Sequence, residues 1–356
     1  MEALAELKSF KKDLDEKLNS YLDKKLEEAK QISPTAKELI EHIADLTLRG
    51  GKRIRAALLY YSYLAHGGKD TSEVLKAAMA MEMSETYLLI HDDIMDDDVL
   101  RRGGTTIHHS YKQNAETDFP NKTNPRHFGI SMGILAGDIA CAFSNELIAN
   151  AEFKDECKNR ALAELNKIYS IEGYGQAMDI ISSIKNNIKK EDVILVQELK
   201  TVPYTMDGPI KIGAILAGAK KEEVEKLSKY TVPLGTAFQI QDDILGMFGS
   251  EEKLGKPVTS DLKEGKRTLL IVSALEKANP KQKEIIELNL GNKKVTINGL
   301  KTVRKVIEET GSLTESKILA LELAQNAMDA LNKFNLKKEG KDFLVGIAEY
   351  IIKREY

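Results

Sequence analysis

Tryptophan is missing from this 356-residue chain, proline occurs eight times and cysteine only twice. Cys141 and Cys157 make neither a disulfide framework nor a C-x-x-C pair. That excludes a disulfide-stapled scaffold and fits a reducing, cytoplasmic setting. Few prolines leave room for long helices, because proline breaks a helix interior. No uncharged run approaches the ~20 residues of a membrane span. Charge of neither sign dominates: Lys and Arg total 52, Asp and Glu 55, for a net of -3. Bulk charge therefore gives no support for nucleic-acid binding, and any anion site must be a local cluster. The first residues place Leu4, Leu7, Leu14 and Leu18 among charges of both signs. This is an amphipathic helix rather than a signal peptide.

What is present is helical periodicity from end to end. Breakers cut the chain at Ser33-Pro34, Gly50-Gly51, Gly67-Gly68, Gly103-Gly104, Gly173, Pro203, Gly208-Pro209, Gly218, Gly249, Gly255, Asn279-Pro280, Gly291, Gly311 and Gly340. Strand-like alternation, fixed-period repeats and low-complexity linkers are not found. The simplest account is an all-α fold, one large domain over residues 1–356. Polar residues with two prolines at 111–127 read as an exposed loop, and 112–127 as an insertion.

The strongest chemical signal lies between Met81 and His109. An apolar helix runs into Asp92, Asp93, Asp96, Asp97 and Asp98, followed by Arg101 and Arg102. On a helix Asp92 and Asp96 are one turn apart and point the same way. Such a pair suits Mg²⁺, which takes one or two carboxylates plus phosphates and water. Arginines suit the phosphate oxygens. Two readings stand open for this stretch alone: a Mg²⁺-diphosphate site, or an acidic helix end running into a solvated basic turn.

A second candidate is Gly50-Gly51-Lys52-Arg53-Ile54-Arg55, two glycines before a helix that begins with three cations. Cations there disfavour the helix unless an anion binds. Lys52 and Arg55 are expected to share a face. The open readings are a phosphate pocket and a solvated basic turn. Farther on, Gly235–Gly246 ends another long helix in Asp242 and Asp243. Gly255-Lys256-Pro257 and Glu264-Gly265-Lys266-Arg267 follow. Carboxylates on a helix are again followed by cations on a loop. Two such stations, about 150 residues apart, can build a metal site in a bundle core. His108, His109 and His127 lack the cysteines or carboxylate spacing of a transition-metal site. His91 reads as a packing residue.

With these motifs in place, the chain resembles the trans-isoprenyl diphosphate synthases, the family of geranylgeranyl and farnesyl diphosphate synthases. The resemblance runs from about residue 35 to the C-terminus. It rests on G-G-K-R-I-R at 50–55, D-D-I-M-D at 92–96, R-R-G at 101–103, G-Q-x-x-D at 175–179, K-T at 200–201, F-Q-I-Q-D-D at 238–243, and G-K-P with the downstream E-G-K-R-T at 264–268. It implies a single large helical bundle around a central deep cavity, and a homodimer.

It also implies the roles. Asp92, Asp96 and Asp242 would ligate three Mg²⁺ ions, with Asp93 and Asp243 behind them. Arg101, Lys200, Thr201, Gln239, Lys256 and Lys266 would hold the allylic diphosphate (dimethylallyl, geranyl or farnesyl). Gly51, Lys52, Arg55 and Arg102 would hold isopentenyl diphosphate. Lys200 and Thr201 would act with the three ligands in catalysis, stabilising the cation formed when the allylic C–O bond ionises. Asp97 and Asp98 are left as solvated loop residues.

Two residues depart from that pattern. Gly246 stands where a third carboxylate of the second motif is expected. Glu85 stands seven before Asp92, where the family usually has His or Gln as a donor to isopentenyl diphosphate. An ionised Glu85 repels that anion unless it points elsewhere. Tyr87, five before Asp92, and Leu88 lie at the cavity floor in this family. One aromatic there implies a C20 product; the alternatives are a C15 product and a non-catalytic regulatory subunit.

Overall fold

The computed structural model describes residues 2–185, 188–249 and 258–353. The chain forms two compact units. One comprises the residues up to Ala163 together with Ile212–Gly218; the other comprises Glu164–Lys211 and the chain from Ala219 onward.

In the first unit α1 (Glu2–Ile32) leads to α2 (Pro34–Leu48), α3 (Ile54–Ala65) and α4 (Thr71–Asp96). A short hairpin of β1 (Leu100–Arg101) and β2 (Gly104–Thr105) precedes α5 (Ile107–Asp118), α6 (Pro125–Ala149) and the start of α7 (Asp155–Ile184). Helix α1 buries Leu7, Phe10, Leu14, Leu18 and Leu22, the three- and four-residue spacing that puts side chains on one stripe. Ser33 caps α2 by accepting from the Ala36 N–H at 3.0 Å, with Pro34 at the first helical position. Asp70 caps α4 by accepting from Glu73 N–H at 3.0 Å.

Helix α4 is buried on several faces through Ala77, Ala78, Ala80, Met83 and Ile90. Small residues on α6 let it come close. The Ser84 and Ser144 hydroxyls lie 2.8 Å apart, and both donate to the Ala80 carbonyl, at 2.8 and 2.9 Å. Helix α6 is long and apolar enough to cross a membrane by length and composition. It carries Asp138 and packs its small residues, Ala136, Ala140 and Ser144 among them, inside this unit.

The second unit holds the rest of α7, then α8 (Lys190–Lys200), a π-helical turn at Pro203–Asp207, the start of α9 (Gly208–Leu216, which from Ile212 belongs to the first unit), α10 (Lys221–Lys226) and α11 (Ser228–Phe248). There follow α12 (Ser260–Glu264), α13 (Leu269–Lys277), α14 (Pro280–Asn289), α15 (Ile297–Glu309), α16 (Ser312–Leu331) and α17 (Lys338–Lys353). Ile240 and Ile244 of α11, Leu270 and Ala274 of α13, Val303 and Ile307 of α15 and Ala324 of α16 share one core. The buried Tyr230 hydroxyl donates to the Leu344 carbonyl at 2.8 Å, fixing α17 to α11.

The all-α expectation holds, and two-residue strands make up the only sheet among the described residues. Three local expectations are corrected. Residues 111–127 are not a loop: they are helical through Asp118 and again from Pro125. Tyr111 and Ala115, one turn apart, are buried, and the Tyr111 ring lies 6.2 Å from that of Phe128. Burial of this pair outweighs the polarity of their neighbours. Pro120 falls after α5 and Pro125 opens α6, positions where proline is tolerated.

Helix α3 does not begin with three cations. Arg53 is its N-cap, left-handed at φ 56°, so Lys52 lies outside the helix and shares no helical face with Arg55. Gly173 and Gly340 break nothing; both lie inside helices, α7 and α17.

Candidate active site

Helix α4 ends by turning Asp97 left-handed, with the Asp98 N–H returning to the Asp93 carbonyl at 2.9 Å. The chain then makes the β1–β2 hairpin, whose two turn residues, Arg102 and Gly103, are both left-handed at φ 51° and 74°. That is the turn whose twist matches antiparallel strands. Arg49, at the end of α2, donates to the carbonyls of Arg101 and Thr105 at 3.2 and 2.9 Å and pairs with Asp45. The hairpin is thus pinned to α2. Its register sends Arg101 and Arg102 to different partners.

Arg101 turns back to the end of α4. Its Nε donates to Asp93 at 2.6 Å and its terminal nitrogen to Asp98 at 2.8 Å. Asp98 is therefore an ion-pair partner rather than a solvated loop residue. Asp97 is exposed, with Arg126 3.7 Å away. Asp93 is buried, and its other oxygen has no hydrogen-bond partner among the described residues. Burial pushes its carboxyl up to about 7, the Asp98 and Asp92 charges add to this, and Arg101 opposes it. Asp92 and Asp96 stay partly exposed on the last turn of α4. Their helix supplies a carboxylate pair one turn apart.

Arg102 turns the other way. It donates to Glu85 at 2.7 Å, and Arg55 reaches the same carboxylate oxygen at 3.1 Å. Gly51 completes this cluster: a Cβ there would sit 3.4 Å from the Arg102 guanidinium, and its φ of 119° suits glycine. Beneath them Arg53 is buried. It donates to Asp15 at 2.8 Å, to Glu82 at 2.7 Å and to the Thr47 carbonyl at 2.9 Å, joining α1, α2 and α4. So three of the expected isopentenyl diphosphate residues, Gly51, Arg55 and Arg102, meet around Glu85, and Lys52 is exposed beside them. Tyr87, one turn up α4 from His91, meets the His91 ring edge-on at 5.0 Å. His91 is seated over Gly137 of α6, with the Ile134 carbonyl 3.2 Å from its Nε2. Leu88 is buried.

In the second unit Asp243 accepts from Gln239 at 2.8 Å and from Gln197 of α8 at 2.9 Å. Burial pushes its carboxyl up to about 7, against the Gln239 bond, and the charges of Asp261 and Asp242 add to this. Asp242 is partly exposed beside it. Lys200 donates to Asp179 at 2.8 Å, where Gly175 lets α7 approach the α8 backbone. Thr201 is the C-cap of α8. Lys266 pairs with Glu264 at 2.8 Å. Lys256 lies outside the described residues. A cavity of about 230 Å³, lined by Ile168, Glu198, Val202 and Asp207 among others, touches none of the expected site residues.

Two functional candidates escape sequence reading. Gln197 comes from the helix before Lys200, with nothing but a one-turn spacing to mark it. Asp261 is buried, and its carboxylate oxygen lies too close to Gly246 to leave room for a Cβ there. The carboxylate absent from position 246 is thus matched by one from α12, the Gly-Lys-Pro side of the motif.

Among the described residues no group of three or more His, Cys, Asp or Glu can hold a metal unaided. The pair Asp92 and Asp96 still fits Mg²⁺, whose octahedral shell is completed by water and substrate phosphates.

The polyprenyl synthetase family profile matches residues 36–308. The geranylgeranyl diphosphate synthase of Sulfolobus acidocaldarius is 34% identical over 327 residues, covering 91% of this chain and 93% of its own. The short chain isoprenyl diphosphate synthase of Methanocaldococcus jannaschii is 34% identical over 351 residues, 98% and 96% of the two chains. Among solved structures, geranylgeranyl pyrophosphate synthase from Corynebacterium glutamicum, complexed with isoprenyl diphosphate and magnesium, superposes with a TM-score of 0.91 at 29% identity. It covers 98% of this chain and 99% of its own.

Proposed function

The chain belongs to the polyprenyl synthetase family and is a short-chain prenyl diphosphate synthase, and we propose that its product is the C20 geranylgeranyl diphosphate. The observation that carries the C20 reading is Tyr87. Its ring is held edge-on against His91, which is itself seated on Gly137, so the ring cannot swing away cheaply. A bulky aromatic so fixed, five residues before Asp92, limits chain growth. Leu88, the next position, is not a second ring. Tyr87→Ala is expected to shift the product to C25 or longer, seen by chromatography of the dephosphorylated alcohols. An unchanged chain length sinks the C20 reading.

The reaction joins an allylic diphosphate to isopentenyl diphosphate. The allylic C–O bond breaks and its electron pair leaves with the diphosphate. The isopentenyl double bond attacks the cation, and a proton is lost to the released diphosphate. Magnesium, three ions in this proposal, supplies charge neutralisation on the departing diphosphate. Asp92, Asp96 and Asp242 would hold it.

The remaining work falls to the chain itself. Arg101, Lys200, Gln239, Lys256 and Lys266 bind the allylic diphosphate as its charge grows. Gly51, Lys52, Arg55 and Arg102 hold the isopentenyl diphosphate. Thr201 and Lys200 present dipoles to the cation, and exclusion of water keeps it from being captured. Asp261 supplies the third carboxylate of the second station. Gly246→Ala tests this, because the added Cβ displaces the Asp261 carboxylate. The helix gains about 1 kcal/mol from Gly→Ala, so the unfolding temperature is expected to stay near level. Activity is expected to fall about tenfold. Full activity with a Cβ at 246 removes Asp261 from the site.

We further propose a homodimer acting as one catalytic domain over residues 1–356, in the cytoplasm. Ile134 and Leu135, 45% and 50% exposed on α6, support the first; Cys141 and Cys157, both free thiols, support the last. Labelled isopentenyl diphosphate with dimethylallyl, geranyl or farnesyl diphosphate, with and without Mg²⁺, tests the whole reading. Mg²⁺-dependent incorporation is expected from the lone protein. None without an added partner chain points to a regulatory subunit instead.

A further inference from the structure

Glu85 is a carboxylate set between two arginines that the proposed reaction uses to bind substrate. The Arg102 nitrogen lies 2.7 Å from its Oε1 and the Arg55 nitrogen 3.1 Å from the same atom. Its side chain is 15% exposed, and the two arginine side chains 18% and 19%. The group is therefore largely withdrawn from water, where such pairs are strong.

Burial alone raises the Glu85 carboxyl. The guanidiniums of Arg55, Arg102 and Arg53 outweigh it and hold it below the usual carboxylate range. Among the described residues, the charges that act on it include the three arginines and Glu82, which is paired to Arg53 at 2.7 Å. The two ion pairs hold the carboxylate in place between Arg55 and Arg102.

We propose that Glu85 is a resident counter-ion of the isopentenyl diphosphate subsite. It keeps Arg55 and Arg102 converged on one point, and the arriving diphosphate must compete with it for both guanidiniums. The proposal rests on the assignment of Gly51, Lys52, Arg55 and Arg102 to that substrate. Two effects follow from one residue. The arginines are pre-positioned: the turn residue Arg102 and the helix residue Arg55 come from separate elements and would repel each other without the carboxylate. Binding is also weakened, because one negative charge stays beside the diphosphate while its arginine partners are shared. The second effect sets the sign of the measurement. An isosteric amide keeps an acceptor for both arginines and removes the repulsion.

Calorimetric titration of the full-length protein with isopentenyl diphosphate, without Mg²⁺ or allylic substrate, measures this subsite apart from turnover. Glu85→Gln is expected to bind on the order of tenfold more tightly than the unsubstituted protein. In the Mg²⁺-supported assay it lowers the KM for isopentenyl diphosphate and leaves that for farnesyl diphosphate within twofold. Loss of a merely structural residue moves both in the opposite direction. Glu85→His, measured at pH 8 where the imidazole is neutral, gives the same sign and serves if the glutamine variant does not fold. Affinity equal to or weaker than that of the unsubstituted protein, in whichever variant folds, overturns the proposal. An unsubstituted protein that binds no isopentenyl diphosphate overturns the subsite assignment itself, a result separable from any effect of the variants.

Discussion

Asp92→Asn is expected to lower kcat on the order of 10³-fold while leaving the unfolding temperature where it is. The carboxylate is partly exposed on the last turn of α4, amid like charges at 93, 96, 97 and 98. Removing one of those charges relieves repulsion rather than breaking a buried contact. The loss comes instead from the reaction: a carboxamide is a poor ligand for Mg²⁺, and the departing diphosphate loses part of its neutralisation.

Asp97→Asn is the control. Asp97 is exposed and left-handed, a conformation asparagine adopts readily, so activity is expected to stay within about twofold. If both variants lose activity equally, net charge of the cluster matters and the position of Asp92 does not. If Asp92→Asn keeps most of its activity, Asp92 is not a ligand. Steady-state kinetics at saturating Mg²⁺, with thermal unfolding alongside, separates these outcomes.

The second large effect is on stability. Arg53→Ala is expected to destabilise the protein by about 3–5 kcal/mol. Arg53 is 3% exposed and Glu82 2%. Removing the guanidinium leaves a buried carboxylate without its partner, takes one of the two cation partners from Asp15 of α1, and strips the Thr47 carbonyl of its donor. Burial already raises the Glu82 carboxyl, the Glu85 charge adds to this, and Arg53 opposes it. Without Arg53 the group is driven further toward its neutral form.

Arg53→Lys is not expected to rescue, because one ammonium cannot reach three acceptors on three elements as a planar fork does. The double variant Arg53→Met, Glu82→Gln is expected to recover part of the loss, since both ends of the buried pair are then neutral. Lys52→Ala next to it, at an exposed position, leaves stability unchanged. Chemical denaturation of the four variants measures this. A single Arg53→Ala within about 1 kcal/mol of the unsubstituted protein means the buried network does not hold the Gly50–Gly51 turn.

Much of the molecule is legible from its residue order. Apolar spacing along α1 and α4, caps at Ser33, Asp70 and Asn279, and two aspartate pairs at helix ends are local features. Local chemistry within one or two turns decides them, so the all-α class and the two carboxylate pairs on helices follow without tertiary information. The reading fails where a distant partner changes the outcome. Residues 112–118 are polar enough for a loop, yet Tyr111 and Ala115 find apolar neighbours and hold the helix. Lys52, Arg53 and Arg55 look alike as three cations in four residues. Only folding turns Arg53 inward, leaves Lys52 exposed and gives Arg55 to Glu85.

The same division explains the two departures from the family pattern. In sequence, Gly246 is a missing carboxylate and Glu85 a misplaced one. In space, Asp261 fills the position beside Gly246, and Glu85 lies within reach of Arg55 and Arg102. The sequence by itself determined the helices, the placement of carboxylates on helix ends and the family chemistry, because these depend on neighbours a turn away. Tertiary structure alone decided which charges meet. Arg55 and Glu85 are 30 residues apart, and Glu85 and Arg102 17 residues apart. Charge pairing at such separations is set by the path of the chain through the packed core, and no local spacing encodes it.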